Sequence, residues 1–245
     1  MFSWGKGDRG QLGNDNVESE SHTAVPVTKA VIMNDDYTSK IEYHALQAIS
    51  QIATGMIHSA AYEPGTNSVY VWGKHILPHK TDETIATGPP SSNYKIILKR
   101  LLTVRDNVAS DARIPVRVNG LPPDRQILQI ACGSHHTSML FEDGSVWCIG
   151  ITTDTKRPQH VPICIVEAGM IDLSTLTQFT AHMDRTTIVF DGQVLQVHLW
   201  EDPEYQKEAI FTPTWVDELL NNYPTARIRE VHRSWLHTVI VADHL

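Results

Sequence analysis

Cysteine is scarce in this 245-residue chain, which has only Cys132, Cys148 and Cys164. An odd number without a C-x-x-C spacing suggests neither a disulfide framework nor a zinc site, so the three read as buried strand thiols in a reducing compartment. Long apolar runs are missing too: none approaches the roughly 18 residues of a membrane-spanning helix. The opening residues MFSWGKGDRGQLG lack a charged stretch followed by an apolar core, so no secretory signal is expected and the protein is placed inside the cell, cytoplasmic or nuclear, with an organelle left open. Basic residues are in deficit, with 20 Lys and Arg against 28 Asp and Glu and a net charge of −8. That balance argues against direct binding of nucleic acid, which needs clustered cations. There is no P-loop, no nucleophile elbow and no recognisable pair of carboxylates, so the expectation is a protein that is not an enzyme and carries no cofactor or metal.

What is present is repetition. The run IATGMIHSAAYEPGTNSVYVWG from Ile52 and the run IACGSHHTSMLFEDGSVWCIG from Ile130 fit one template. In each, an apolar lead reaches Gly55 or Gly133, His-Ser (His58, Ser59) or His-Thr (His136, Thr137) follows, and a β-rich run ends in Gly73 or Gly150. A third copy, from Phe179, has His182 in the Gly place and Arg185 in the His place; a fourth, from Val231, has Ser234 in the Gly place and keeps His237 and Thr238. The marker positions 55, 133, 182 and 234 are 78, 49 and 52 residues apart. Fixed spacing near 50 residues is the mark of a propeller blade.

A proline among β-formers stands upstream of each copy, at Pro26, Pro115, Pro162 and Pro213. Proline cannot donate to a ladder, so each is expected at an edge or at the first residue of a strand. The resulting fold class is all-β, with about four four-stranded antiparallel blades in one domain. The blade units are placed at 14–73, 74–150, 151–200 and 201–245, the last completed by 1–13. The C-terminal HTVIVADHL stops where a strand like FSWG should begin, so the two ends are expected to be complementary repeat boundaries. Three outcomes stay open: a ring closed by pairing of the terminal strands, an open arc whose edges another chain pairs, and a chain that has lost internal blades.

These residues, with FSWGKGDRGQLG from Phe2 to Gly13, resemble the repeats of the regulator of chromosome condensation family. The resemblance implies that family's β-propeller. For function it implies a platform for protein partners or, as in the founding member, guanine-nucleotide exchange on a small GTPase. Typical members have seven blades, whereas four are counted here. The phrase Ser234-Trp235-Leu236-His237-Thr238 is similar to one in the family's plant ultraviolet-receptor branch, but no Arg stands beside its Trp, which argues against light sensing.

Gly55, His58, Gly133, His136 and His237 are expected to be structural corners of the repeat, each His tying its own Gly corner to neighbouring backbone rather than holding a metal. Gly5-Lys6-Gly7-Asp8-Arg9-Gly10 matches a dinucleotide-binding phrase, but a polar run and no helix pattern follows it, so it reads as a turn between blades. The repeat is interrupted between Lys74 and Ala112 by an insert expected to be exposed. Within it, YKIILKRLLTVRDNV over 94–108 carries the pattern of a short basic amphipathic helix. Its Lys95, Lys99, Arg100 and Arg105 are the candidate interaction surface for a protein partner. Self-association through open blade edges is the remaining expectation about partners.

Overall fold

The computed structural model describes residues 1–15, 20–33, 41–77, 102–103, 110–151, 158–198, 210–234 and 237–244. Strands dominate. In chain order they are β1 (Phe2–Lys6), β2 (Glu20–Pro26), β3 (Lys29–Met33), β4 (Ile41–Ala45), β5 (Gln51–Thr54), β6 (His58–Glu63), β7 (Ser68–Leu77), β8 (Leu102–Thr103), β9 (Ser110–Arg117) and β10 (Ile127–Cys132). There follow β11 (His136–Phe141), β12 (Val146–Ile151), β13 (Pro158–Val166), β14 (Leu176–His182), β15 (Arg185–Phe190), β16 (Gln193–His198) and β17 (Ile210–Phe211). A helix, α1 (Thr214–Asn222), precedes β18 (Ala226–Arg233) and β19 (Thr238–His244).

Two four-stranded antiparallel sheets, β10-β11-β12-β13 and β14-β15-β16-β17, show the blade in its plain form. The β5-β6-β7-β9 set is a third blade, widened into a seven-stranded sheet because β3 and β4 continue it beyond β9 and β8 also pairs with β9. β1 pairs with β2, and β18 with β19. Successive sheets stack face to face, and the apolar core lies between them. Ala60, Tyr62 and Val71 of one blade meet Met139, Phe141 and Ile149 of the next. Leu140 and Val146 meet Phe179 and Ile188 in the same way, and Val189 and Val194 meet Ile228 and Val231. The architecture is a β-propeller arc.

The sheets phase the repeat differently from the expected units. Two of the four proline-bearing segments are the outer part of the sheet whose corner precedes them: Pro115 lies in β9 beside β7, and Pro162 in β13 beside β12. A strand lacking one ladder donor is tolerated best away from the blade's inner pairs. β9 is not an edge, however, since β3 runs parallel to it through the single pair Val31–Val116, next to the proline. Pro213 is the N-cap of α1 rather than part of a strand. Its fixed φ of −62° enters a helix readily, Asp217 in the first turn favours the helix dipole, and Val216 is turned onto Ile228. The first strand does not complete the last blade: β1 pairs with β2, and among the described residues β19 pairs with β18 alone. The described strands therefore form the open arc.

The insert is shorter than the interruption of the repeat suggests, because Lys74–Leu77 prolongs β7 and β8 pairs Leu102 with Ala112 and Thr103 with Asp111. Those two residues are strand where a helix over 94–108 is expected; the rest of that segment, with Lys95, Lys99, Arg100 and Arg105, lies outside the described residues. Cys132 and Cys148 are buried, but Cys164 is exposed because β13 is an outer strand.

β4 is fastened to the blade by Glu63, only 3% exposed. Its carboxylate accepts from Gln47 N (2.9 Å), Thr66 Oγ1 (2.8 Å) and Tyr70 Oη (3.2 Å) and meets His44 Nε2 at 2.8 Å. Burial opposes ionisation, but the donors from Gln47, Thr66 and His44 outweigh it and bring the pKa down to about 2. Glu63→Gln is expected to cost ~2 kcal/mol, read as a lower urea midpoint, because one amide oxygen cannot replace two acceptor oxygens serving buried donors.

Candidate functional site

The predicted corners are at the innermost part of the arc, where β5, β10, β14 and β18 lie side by side in that order. In each of three corners the residue in the Gly place donates its backbone N–H to the carbonyl of the His three residues on: Gly55 to His58, Gly133 to His136 and Ser234 to His237, all at 2.9 Å. Gly55 and Gly133 are required by close approach. A Cβ on Gly133 would stand 2.1 Å from His136 Cε1 and 2.6 Å from the carbonyl oxygen of Met183; one on Gly55 would stand 2.3 Å from both His58 Cε1 and the Gly133 carbonyl oxygen. The imidazole thus lies against its own corner, and the next corner's backbone presses in from the other side.

The far nitrogen of each ring reaches across to the following blade. His58 Nε2 is 3.1 Å from Thr137 Oγ1, and His136 Nε2 is 3.2 Å from Thr186 Oγ1. Both rings are buried. For His58, burial and then the neighbouring His135 depress the pKa to about 4; for His136, burial and then His58 depress it to about 3. Buried in this way, both imidazoles are neutral at ordinary pH, and only the edge of His58 reaches an opening. In the third copy Arg185 takes the His place and donates to Gln196 Oε1 at 3.3 Å. In the fourth, His237 is exposed and its Nδ1 meets Ser234 Oγ at 2.8 Å. Among the described residues no group of three or more His, Cys, Asp or Glu is arranged to hold a metal.

A second series of bonds runs parallel to the first. Gln51 Nε2 donates to Leu128 O (2.8 Å) while its Oε1 accepts from Ile130 N (3.0 Å). Gln129 Nε2 donates to Phe179 O (3.0 Å), and Gln178 bonds Val231 both ways, Nε2 to O at 3.2 Å and N to Oε1 at 2.7 Å. Each glutamine stands immediately before the leading apolar residue of its copy, and each addresses the inner strand of the next blade. The sequence holds the signal as Gln-Ile, Gln-Ile, Gln-Phe and, in the fourth copy, Glu230-Val231, a pairing that no catalytic or metal motif would bring out.

The turn over Gly5–Gly10 is structural. Gly10 donates to Gly7 O and Gly13 to Gly10 O, both at 3.0 Å, and Trp72 Nε1 donates to Gln11 O at 2.7 Å. The loop is clamped onto the neighbouring blade, and no helix follows it among the described residues.

One opening among the described residues is a cavity of about 390 Å³ between β1 and β5–β6, lined by Phe2, Trp4, Ile52, Met56, Ser59 and Trp72 among others. Phe2 (64%), Trp4 (69%), Ile52 (64%) and Met56 (55%) are exposed there, an unusual gathering of large apolar groups. No carboxylate lines it; its ionisable lining residues are Lys6 and His58. No helix of the described residues is long and apolar enough to cross a membrane.

The model of the regulator of chromosome condensation (RCC1) repeat matches residues 1–62. No curated protein sequence matches the chain. Among solved structures, the chain is similar to human WBSCR16, with 15% identity, a TM-score of 0.55, and coverage of 99% of this chain and 54% of that one. It is similar also to yeast RCC1 (Prp20) in its complex with Kap60, with 16% identity, a TM-score of 0.55, and coverage of 100% of this chain and 50% of that one. The fold is thus that of the RCC1-type propellers, and the chain spans about half the length of these structures.

Proposed function

We propose that the protein is a non-enzymatic platform for protein partners, with the propeller arc as a rigid base and its surface segments as the binding elements. The observation that carries this is the use made of the imidazoles: His58 and His136, which could have served chemistry, are neutral, buried and spent on joining blades. What faces solvent is apolar area and loops, the material of recognition rather than of catalysis. Yeast RCC1, a neighbour in fold, was solved bound to Kap60, which supports a protein as the kind of partner.

The interruption between β7 and β9 is the proposed docking element, with Lys95, Lys99, Arg100 and Arg105 supplying a basic surface that suits an acidic partner. Because Lys74–Leu77 and Ser110–Ala112 belong to strands, the deletion to make is 80–100, replaced by a short Gly-Ser linker. Affinity capture is expected to lose its main partners with this deletion; an unchanged set would remove the insert from the reading.

A second reading is nucleotide exchange on a small GTPase, favoured by the repeat match, which includes the acidic stretch from Asp15 to Glu20. Asp15 itself is 3.7 Å from Lys29 Nζ; residues 16–19 lie outside the described set. Release of labelled GDP from a panel of GTPases, unaccelerated by the protein, would dismiss it.

A further inference from the structure

We propose that the seam between β15 and β18 binds a carboxylate side chain from an acidic segment of a protein partner, held by Arg185 and Arg233. This rests on the platform reading and names the chemistry of one contact within it.

The repeat shows what is unusual at this seam. Between β6 and β11, His58 reaches Thr137, whose hydroxyl also meets Cys132 Sγ at 3.4 Å. Cys132 and Thr137 are a cross-strand pair, and so are Arg233 and Thr238. Since Arg185 stands in the His place, the later seam sets Arg185, Thr238 and Arg233 where His58, Thr137 and Cys132 stand in the earlier one. Two guanidinium groups thus replace an imidazole and a thiol. The change extends into the blade, where Thr187 pairs with Gln196 at the positions that Ala60 and Val71 fill beside β6. Gln196 is 0% exposed, donates to Thr187 Oγ1 at 3.2 Å and accepts from Arg185 Nη1 at 3.3 Å. A fully buried amide is tolerated only when its polar atoms are bonded, and one of the bonds here fixes the Arg185 guanidinium.

The charges that the described residues bring to this point are uneven. Asp184 Oδ1 lies 3.7 Å from Arg185 Nε, one carboxylate beside two guanidinium groups. Burial, and then the charge of Arg233, hold the Arg185 pKa below its usual value, and Asp184 offsets them only in part. Glu230 and His237 are engaged nearby, the first with His232 Nε2 at 2.7 Å and the second with Ser234 Oγ at 2.8 Å. The Arg185 side chain is 28% exposed and Arg233 is half-buried, so a ligand reaches both from solvent at a place where partial shielding strengthens an ion pair. A carboxylate brings the single charge that restores the balance, and its two oxygens match the guanidinium fork.

The distribution of charge over the blades selects the source. Lys74, Arg185 and Arg233 stand at the corner end, where Lys74 N donates to Ile57 O at 2.9 Å. The opposite end, with the hairpin turns, carries Glu142, Asp143, Glu167 and Asp172 against Arg125. In a chain of net charge −8, an acidic segment is repelled by the turn end and drawn to the corner end, from which the insert after β7 also departs.

The test is fluorescence anisotropy of a labelled hexaglutamate peptide titrated with the whole purified chain, with hexaglutamine as the neutral probe. Hexaglutamate is expected to bind and hexaglutamine not to. Arg185→Gln and Arg233→Gln are each expected to weaken binding about tenfold. Arg229→Gln removes the same charge from β18 at a residue that lies beside Asp243, and should change affinity by less than about twofold. Gln196→Glu is the sharper case: its carboxylate faces Arg185 from within, accepts from the Thr187 hydroxyl, and should abolish peptide binding without lowering the thermal midpoint. No binding of hexaglutamate, equal losses in Arg229→Gln and Arg233→Gln, or full affinity in Gln196→Glu overturns the proposal. Glutarate that competes as well as the peptide overturns it too, by making this a site for a small free carboxylate, and inorganic phosphate that competes better than glutarate does so by making it a phosphate site. The peptide is titrated directly onto the protein, so peptide binding without any partner captured from cells would count against the platform and leave the site standing.

Discussion

Gly133→Ala is expected to lower the unfolding free energy by about 4 kcal/mol, at the upper end for a single methyl group. The added Cβ would fall 2.1 Å from His136 Cε1, 2.5 Å from His136 Nδ1 and 2.6 Å from Met183 O. None of these can give way cheaply. The imidazole is buried and held at Thr186, and the Met183 carbonyl accepts from Ser134 N at 2.7 Å. Moving the ring breaks a bond to the next blade, and moving the carbonyl breaks a bond between corners, so strain and lost hydrogen bonds add. For a chain of this size the loss should appear as a fall of about 10 °C in the thermal midpoint. Gly65→Ala is the control: nothing lies within 4 Å of its added Cβ, and its midpoint should stay close to that of the parent. Equal midpoints for the two variants would show that the corners do not hold the blades together.

The second large effect is acid lability. His58 and His136 protonate near pH 4 and pH 3 in the folded protein, against the ordinary 6.5 once unfolded. Between pH 6.5 and pH 4 the unfolded chain therefore binds protons that the folded chain refuses, and stability falls as the pH falls. Each pH step of one across that window removes about 1.4 kcal/mol per ring, so each ring accounts for on the order of 3 kcal/mol of loss by about pH 4. Urea midpoints from pH 7.5 to pH 4 are expected to drop steeply below 6.5. In His136→Gln, which begins less stable, the slope in that window should be roughly halved. A flat profile in the parent protein would mean that the rings are solvated and titrate freely.

The corner phrase made the blades legible because its apolar, glycine and histidine positions are fixed by contacts within one hairpin. The phase of the blades was less so. A repeat read along the chain is the same pattern wherever it is cut, and only the ladder shows that Pro115 and Pro162 close the preceding sheet. Pro213 misled for a related reason, since one residue type suits both an outer strand and the start of a helix; the apolar spacing of Trp215, Val216, Leu219 and Leu220 is the feature that decides. The hydroxyl partners of His58 and His136 belong to the next copy of the same phrase, 79 and 50 residues away, so reading each copy alone hid them. The seven-stranded sheet could not be foreseen, because β3 joins β9 through one pair of residues that leaves no periodic trace.

The two imidazole–hydroxyl bonds between successive blades each reach from an earlier histidine to a later threonine, and this sets an order of events during translation. His58 emerges from the ribosome 79 residues before the hydroxyl that will receive it. At bacterial or eukaryotic elongation rates that is an interval of about 4–16 s. Through that interval the ring lacks the hydroxyl partner that it has in the folded protein. Neither of these two contacts can form until the blade that follows has been made.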